Sequence, residues 1–137
     1  MQLGRNAKID LLRHVPLFAE CSKAELRELA LVADELDLSD GRVLVREGRP
    51  GREFFVLIDG NVRISKNGRK VNELGPGDWF GEIALLTNTP RTATVTATSP
   101  IRVLVITDRA FRLVVERMPT IALKVLASLG QRLAQDT

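Results

Sequence analysis

Histidine and cysteine, on which much of enzyme chemistry depends, are almost absent from this chain. Among its 137 residues, His14 is the only histidine and Cys21 the only cysteine. Roll-shaped metalloenzymes need several histidines, so we expect no metal site. One cysteine cannot form an internal disulfide, which agrees with a reducing compartment. Because positioned nucleophiles and acid–base groups are also scarce, we expect no catalysis and no cofactor.

Long apolar runs and known phosphate loops are lacking as well. Stretches such as Phe54–Ile58 and Val103–Ile106 are far too short to span a bilayer. No basic start leads into an apolar run with a cleavage site, so we expect a cytoplasmic protein without membrane contact. The glycines from Gly75 to Gly81 lack the dinucleotide-binding spacing, and no Walker-type lysine follows a glycine loop.

The distribution of charge along the chain does not indicate a nucleic-acid-binding protein. The net charge is +3 and the pI about 9.5, but lysines and arginines are scattered among 17 acidic residues. No basic recognition helix or arm is present, so we expect no direct nucleic-acid binding within these residues. A mixed solvated surface that attracts small anions explains the charge better.

The first part of the chain, residues 1–36, is predicted to be an N-terminal helical segment of a single domain spanning 1–137. Ser22 and Glu25 have the spacing of a capping box at a helix start. Apolar residues then recur at helical spacing, which predicts a helix of about four turns. These residues are Leu26, Leu29, Ala30, Ala33 and Leu36.

Residues 37–106 have a period of two and are predicted to form many short strands. Asp40-Gly41, Asp59-Gly60 and Asn67-Gly68 suit tight turns with positive φ. Short strands at even spacing favour an antiparallel β-roll, or double-stranded jelly roll. The fold class we expect is therefore mainly β with flanking helices: an N-terminal helix and a C-terminal helix pair.

Residues 107–137 return to a helical period. One apolar stripe ends at Met118, and Pro119 suits the first turn of a second helix. The apolar positions of that second helix are Ile121, Val125, Leu126, Leu129 and Leu133. Such a helix has to cover the roll or a second subunit, so a homodimer through it is a reasonable expectation.

The most informative segment is the run of residues 80–95, in which two opposite charges lie among small and apolar residues. Glu82 and Arg91 would be costly to bury without partners. Residues 82–86 favour a short helix of one or two turns with Gly81 at its start, followed by a loop that returns Arg91 toward the first amides of the helix. A helix start and a guanidinium both favour phosphate oxygens.

Glu82 needs another task, because a carboxylate repels a phosphate but accepts a hydrogen bond from a sugar hydroxyl. Acidic residues read ribose hydroxyls in dinucleotide folds too. Gly81, Ala84 and Ala93 lack bulk and let a ligand approach the backbone. Together these residues fit a nucleotide monoester or diester.

This run resembles the phosphate-binding cassette of the cyclic nucleotide-binding domain family, whose fold is a catabolite-activator-like β-roll. The matching residues are Phe-Gly-Glu-Ile-Ala-Leu-Leu and, after a short loop, Pro-Arg-Thr-Ala-Thr-Val. The likeness extends to the helical segments, the glycine-punctuated strands and the Gly75–Asp78 corner. The resemblance implies a regulatory signal-transduction domain that binds cyclic AMP or cyclic GMP and relays binding through its C-terminal helices.

The resemblance also implies individual roles. Glu82 would bind the ribose 2′-hydroxyl, and Arg91 the exocyclic oxygens of the cyclic phosphate. The amides of Ala84, Thr92 or Ala93 would complete the phosphate cradle. The remaining expected site residues are Gly81 and Ile83 in the cassette and Ile64 and Val71 beside the base. In relatives the last helix caps the base; here the capping group is either one of Gln131, Arg132, Gln135, Asp136 and Thr137, or it is absent.

Three alternatives stay open. Glu82 and Arg91 could pair with each other across the loop. The cassette could keep the fold and no longer bind, leaving a non-binding roll for interaction or dimerisation. The preferred base is also open. In cyclic-GMP-dependent relatives a hydroxyl at the position of Thr92 can bond the guanine amino group, but a β-branched residue that leads into the next strand explains this threonine equally well. We favour cyclic AMP over cyclic GMP. No effector is identified by these residues.

Overall fold

The computed structural model describes residues 4–136, which form two compact units. Ala33–Asp108 make up the β unit, while residues 4–32 and 109–136 make up the helical unit. In chain order the elements are α1 (Arg5–Arg13), a 3₁₀ turn (Pro16–Phe18), α2 (Lys23–Val32), β1 (Asp34–Leu38), β2 (Val43–Val45), β3 (Glu53–Asp59), β4 (Val62–Lys66), β5 (Arg69–Leu74), β6 (Trp79–Phe80), α3 (Glu82–Thr87), β7 (Thr94–Ala97), β8 (Ile101–Thr107), α4 (Asp108–Arg117) and α5 (Pro119–Asp136). The assignment of residues 1–137 to one domain stays a prediction.

The β unit contains two antiparallel four-stranded sheets. Their strand orders are β1-β8-β3-β6 and β2-β7-β4-β5. Both sheets contribute apolar side chains to one core, in which Phe55 stacks on Phe80 with ring centroids 5.0 Å apart. The fold class expected from the sequence, an antiparallel roll with helices before and after it, is confirmed.

The tight turns lie where the glycines predict them. Gly41 and Gly60 have φ of 87° and 84°. Asn67 and Gly68 both have positive φ, 53° and 77°, as a two-residue hairpin between β4 and β5 requires. These turns set the register of the strands that carry the site.

The boundary near Leu36 differs from the prediction. Helix α2 ends at Val32, and Leu36 lies in β1, where it pairs with Val103 of β8 and is 44% exposed. The spacing from Ala33 to Leu36 continued the helical period by coincidence, because the backbone there pairs with a strand about 70 residues away in sequence. Strand β6 was also missed, since two residues are too few to show alternation.

The helical unit confirms the predicted capping box. Ser22 N–H donates to Glu25 Oε1 at 2.8 Å, and Glu25 N–H donates to Ser22 Oγ at 3.1 Å. Pro119 is the first residue of α5, as predicted. Lys124 Nζ donates to Pro16 O at 2.6 Å, which ties α5 to the 3₁₀ turn. Across residues 4–136, no helix combines the length and the hydropathy that a membrane span requires.

Candidate functional site

Gly81, the second residue of the run 80–95, caps a short helix. Gly81 has φ of 99° and immediately precedes α3, the brief helix predicted there. A Cβ at Gly81 would lie 2.8 Å from Glu53 O and 3.1 Å from Arg91 Nη1. Both the backbone conformation and the lack of space therefore require glycine at this position.

Glu82 and Arg91 are the two charged side chains that are buried among the described residues. Glu82, the first residue of α3, is 0% exposed, and Arg91 is 6% exposed. Burying a charge is costly unless it is compensated by other groups. The two residues singled out from the sequence therefore occupy the most electrostatically demanding positions of the described chain.

The guanidinium of Arg91 joins the start of α3 to the start of β3. Arg91 Nη1 donates to Gly81 O at 2.9 Å, and Nη2 donates to Glu53 O at 2.8 Å. Burial lowers the pKa of Arg91, while the negative charges of Glu53 and Glu82 oppose that shift. The predicted return of Arg91 to the helix start is confirmed. The alternative in which Glu82 and Arg91 pair with each other stays open.

The backbone of Arg91 is held by the loop before β3. Arg91 N–H donates to Arg49 O at 2.9 Å, and Gly48 N–H donates to Arg91 O at 2.8 Å. Gly51 of the same loop lies directly against the guanidinium, since a Cβ there would be 1.9 Å from Arg91 Nε. The sequence analysis missed Gly51 and Glu53. Nothing local distinguishes Gly51 from the other turn glycines, and Glu53 contributes through its carbonyl, which every residue has.

The other predicted site residues are spread over α3, the β7 approach and the β4–β5 hairpin. Ala84 is buried and Ile83 half-buried in α3; Ala93 is half-buried, whereas Thr92 is exposed. These four residues lie on either side of Arg91 along the chain. Their roles stay predictions.

Ile64 and Val71, the expected base contacts, lie on neighbouring strands. Ile64 is half-buried in β4 and pairs with Val95 of β7, which connects it to the strand following the cassette. Val71 lies in β5 at the register irregularity opposite Ile64 and Ser65, and it is 53% exposed. The side chains of four expected base-capping candidates, Arg132, Gln135, Asp136 and Thr137, lie outside the described residues.

The described residues contain no metal-binding cluster. No group of three or more histidine, cysteine, aspartate or glutamate side chains within residues 4–136 could hold a metal ion. The Cys21 thiol is half-buried, and burial together with the nearby Glu25 raises its pKa to about 11. Cys21 is therefore a protonated thiol at neutral pH and a poor nucleophile.

A roll of two four-stranded sheets, with a glycine-capped short helix and a buried acid and arginine beside it, defines a class of small-ligand regulatory domains. Residues 35–118 match the family model described as the cyclic nucleotide-binding domain. Because that match covers more than half of the chain, the chain belongs to the cyclic nucleotide-binding domain family.

Known relatives agree with this assignment. The cAMP-dependent protein kinase regulatory subunit of Mycosarcoma maydis is 38% identical over 92% of this chain. The cyclic nucleotide-gated potassium channel mll3241 of Mesorhizobium japonicum is 34% identical over 82% of it. The chain spans only 24% and 31% of the lengths of these two proteins.

The fold has close counterparts among solved structures. One of them, "cAMP bound PfPKA-R (141-441)", aligns with a TM-score of 0.75 and 31% identity, covering 92% of this chain and 47% of that one. The family assignment and the expected β-roll are thereby confirmed. The names of these relatives describe regulatory and ligand-gated proteins.

Proposed function

We propose that this chain is a cyclic nucleotide sensor, a regulatory module without catalysis in a cytoplasmic protein. The observation that carries the proposal is the buried guanidinium of Arg91, held against the helix start at Gly81 beside the buried carboxylate of Glu82. A guanidinium has five N–H donors, and two of the Arg91 donors suffice for the Gly81 and Glu53 carbonyls. The remaining N–H groups can donate hydrogen bonds to two oxygens of a cyclic phosphate.

Glu82 supplies the second element of recognition in this proposal. A buried carboxylate beside the arginine accepts a hydrogen bond from the ribose 2′-hydroxyl, as the family resemblance implies. The amides of Ala84, Thr92 or Ala93 complete the phosphate cradle, and Ile64 and Val71 contact the base. Family membership and the cAMP bound by the solved relative support cyclic AMP as the ligand.

Cyclic GMP is the ligand to compare, because the side chain of Thr92 is exposed. As the family resemblance implies, a hydroxyl at this position can bond the guanine amino group. We nevertheless propose cyclic AMP as the preferred ligand, since the matched kinase regulatory subunit and the solved relative both carry cAMP in their names.

Calorimetric titration with cyclic AMP, cyclic GMP and linear 5′-AMP tests this function. We expect saturable heats for both cyclic nucleotides, tighter binding of cyclic AMP, and at least about tenfold weaker binding of 5′-AMP, whose doubly charged open phosphate does not match the cradle. Trp79 is the single tryptophan, the chain has no tyrosine, and Trp79 lies two residues before Gly81 and three before Glu82. Its fluorescence therefore provides an independent signal from the site. Absence of heat with both cyclic nucleotides at millimolar concentration would rule the sensor out.

We also propose that binding is relayed through the start of α4. Asp108, the first residue of α4, donates its N–H to Arg52 O at 2.6 Å. Arg52 lies between Gly51 and Glu53, which contact the Arg91 guanidinium by packing and by a hydrogen bond. A ligand that binds Arg91 therefore acts on the segment that holds the start of α4. It shifts the equilibrium between two arrangements of α4 only as far as its affinities for the two arrangements differ.

Hydrogen exchange tests this relay. We expect cyclic AMP to change the protection of the Asp108 amide, while the amide of Gly41, which donates to Ala97 O, serves as a control. Protection that changes equally at both amides would indicate general stabilisation by the ligand rather than a relay.

The second candidate function is a non-binding interaction module, and one surface favours it. Leu123 and Leu126 of α5 are 66% and 60% exposed and lie three residues apart, so they share a helix face. This face is the reason to keep a homodimer through α5 in the proposal. Sedimentation as a dimer combined with no nucleotide heat would favour the interaction module, with the effector supplied by another protein or domain.

A further inference from the structure

We propose that Gly51 is a positioning residue for Arg91: the side chain that Gly51 lacks leaves the space in which the guanidinium lies. This inference rests on the proposed function, because it concerns how the expected phosphate-binding arginine is held. It adds to the site a residue of the loop before β3.

The backbone of Gly51 does not by itself require glycine. Six other glycines have φ between 77° and 99°, where L side chains are strained; they are Gly41, Gly48, Gly60, Gly68, Gly77 and Gly81. Gly51 is not among them. Alanine would therefore be compatible with the conformation of the chain at this position, and the reason for glycine has to be space.

The atoms nearest to the space beside Gly51 belong to the Arg91 side chain. A Cβ there would be 1.9 Å from Arg91 Nε, 2.4 Å from Cζ and 2.5 Å from Nη2. These three nearest atoms all belong to the guanidinium, and contacts below 3.0 Å are essentially never seen for a real Cβ. Either the loop or the arginine has to move when the position gains a side chain.

The loop is the less movable partner. Hydrogen bonds from Gly48 N–H to Arg91 O and from Arg91 N–H to Arg49 O hold it on one side of Gly51. On the other side, Asp108 N–H binds Arg52 O, and Glu53 opens β3 in register with Thr107. The arginine side chain is flexible, so the substitution displaces the guanidinium and breaks its contacts with Gly81 O and Glu53 O.

The test compares Gly51→Ala with a matched control substitution, and it makes both substitutions with and without the Arg91 side chain. Gly75→Ala is the control, because Gly75 lies in the same unit, outside the positive-φ set, with Asn61 Oδ1 at 3.3 Å as its nearest neighbour. Both substitutions are made in the wild type and in Arg91→Ala. Urea unfolding and cyclic AMP titration are measured for each variant.

We expect Gly51→Ala to weaken cyclic AMP binding at least about tenfold, because a displaced guanidinium loses a charge-assisted hydrogen bond to the phosphate, and one such bond is worth a factor of about ten or more in affinity. Gly75→Ala should leave the affinity within about twofold. The urea midpoint should fall for Gly51→Ala in the wild type and stay unchanged when Arg91 is already alanine, since the clashing side chain is then gone.

Two results would overturn the inference: wild-type affinity in Gly51→Ala, or the same loss of stability with and without the Arg91 side chain. The stability cycle needs no ligand. If the wild type binds no nucleotide, the proposed function fails, while the dependence of Gly51→Ala on Arg91 still decides whether the glycine positions the guanidinium.

Discussion

Replacing Arg91 with alanine is expected to weaken cyclic AMP binding by at least about a hundredfold. A guanidinium that binds two phosphate oxygens makes two charge-assisted hydrogen bonds, each worth about 1.5–3 kcal/mol. Losing both costs about 3 kcal/mol or more, and every 1.4 kcal/mol is a factor of ten in affinity. Calorimetric titration of the two proteins side by side measures the difference.

Arg91→Ala also removes the hydrogen bonds to Gly81 O and Glu53 O, so its folding has to be checked separately. We expect a loss of about 1–3 kcal/mol in the free energy of unfolding, because two buried carbonyls lose their donors. Circular dichroism and urea unfolding distinguish this from collapse of the fold.

Two further variants control this prediction. Arg91→Lys keeps the charge without the planar fork, so we expect it to bind more weakly than the wild type and more tightly than Arg91→Ala. Arg63→Ala removes an exposed arginine of β4 and should leave the affinity unchanged. If Arg91→Ala and Arg63→Ala both bind like the wild type, Arg91 does not hold the phosphate.

Replacing Glu82 with glutamine is expected to abolish recognition of the ribose 2′-hydroxyl. The wild type should prefer cyclic AMP over 2′-deoxy cyclic AMP by about tenfold or more, because a hydrogen bond to a buried charged group is worth about 1.5–3 kcal/mol. Glutamine has nearly the same shape and no charge. In Glu82→Gln the two nucleotides should bind with similar affinities, both more weakly than cyclic AMP binds to the wild type.

The control for Glu82→Gln is Glu73→Gln on β5, where the carboxylate is exposed and pairs with Lys70 at 3.2 Å. This variant should retain the preference for the ribose. Competition titrations with both nucleotides measure the ratio directly, which cancels general effects on folding. An unchanged ratio in Glu82→Gln would show that the carboxylate serves another purpose, such as holding the cassette together.

Most of the fold could be predicted because its signals are local. The glycine turns at residues 41, 60 and 68, the capping box at Ser22 and the helix start at Pro119 each depend on a few neighbouring residues. The errors occurred where pairing is distant. Leu36 joins a strand through Val103, and the two residues of β6 are assigned by their partners in β3. A period read along the chain contains no information about such partners.

The amino-acid sequence alone determined the roll, the family and the choice of Glu82 and Arg91. Turn residues, and an acid and a base within an apolar run, are patterns that can be recognised within a few neighbouring positions. Only the tertiary structure decided what surrounds the guanidinium. Its contacts at Gly51 and Glu53 lie 40 and 38 residues away from Arg91 in the chain. They depend on an absent side chain and a backbone carbonyl, and neither has a signature in sequence.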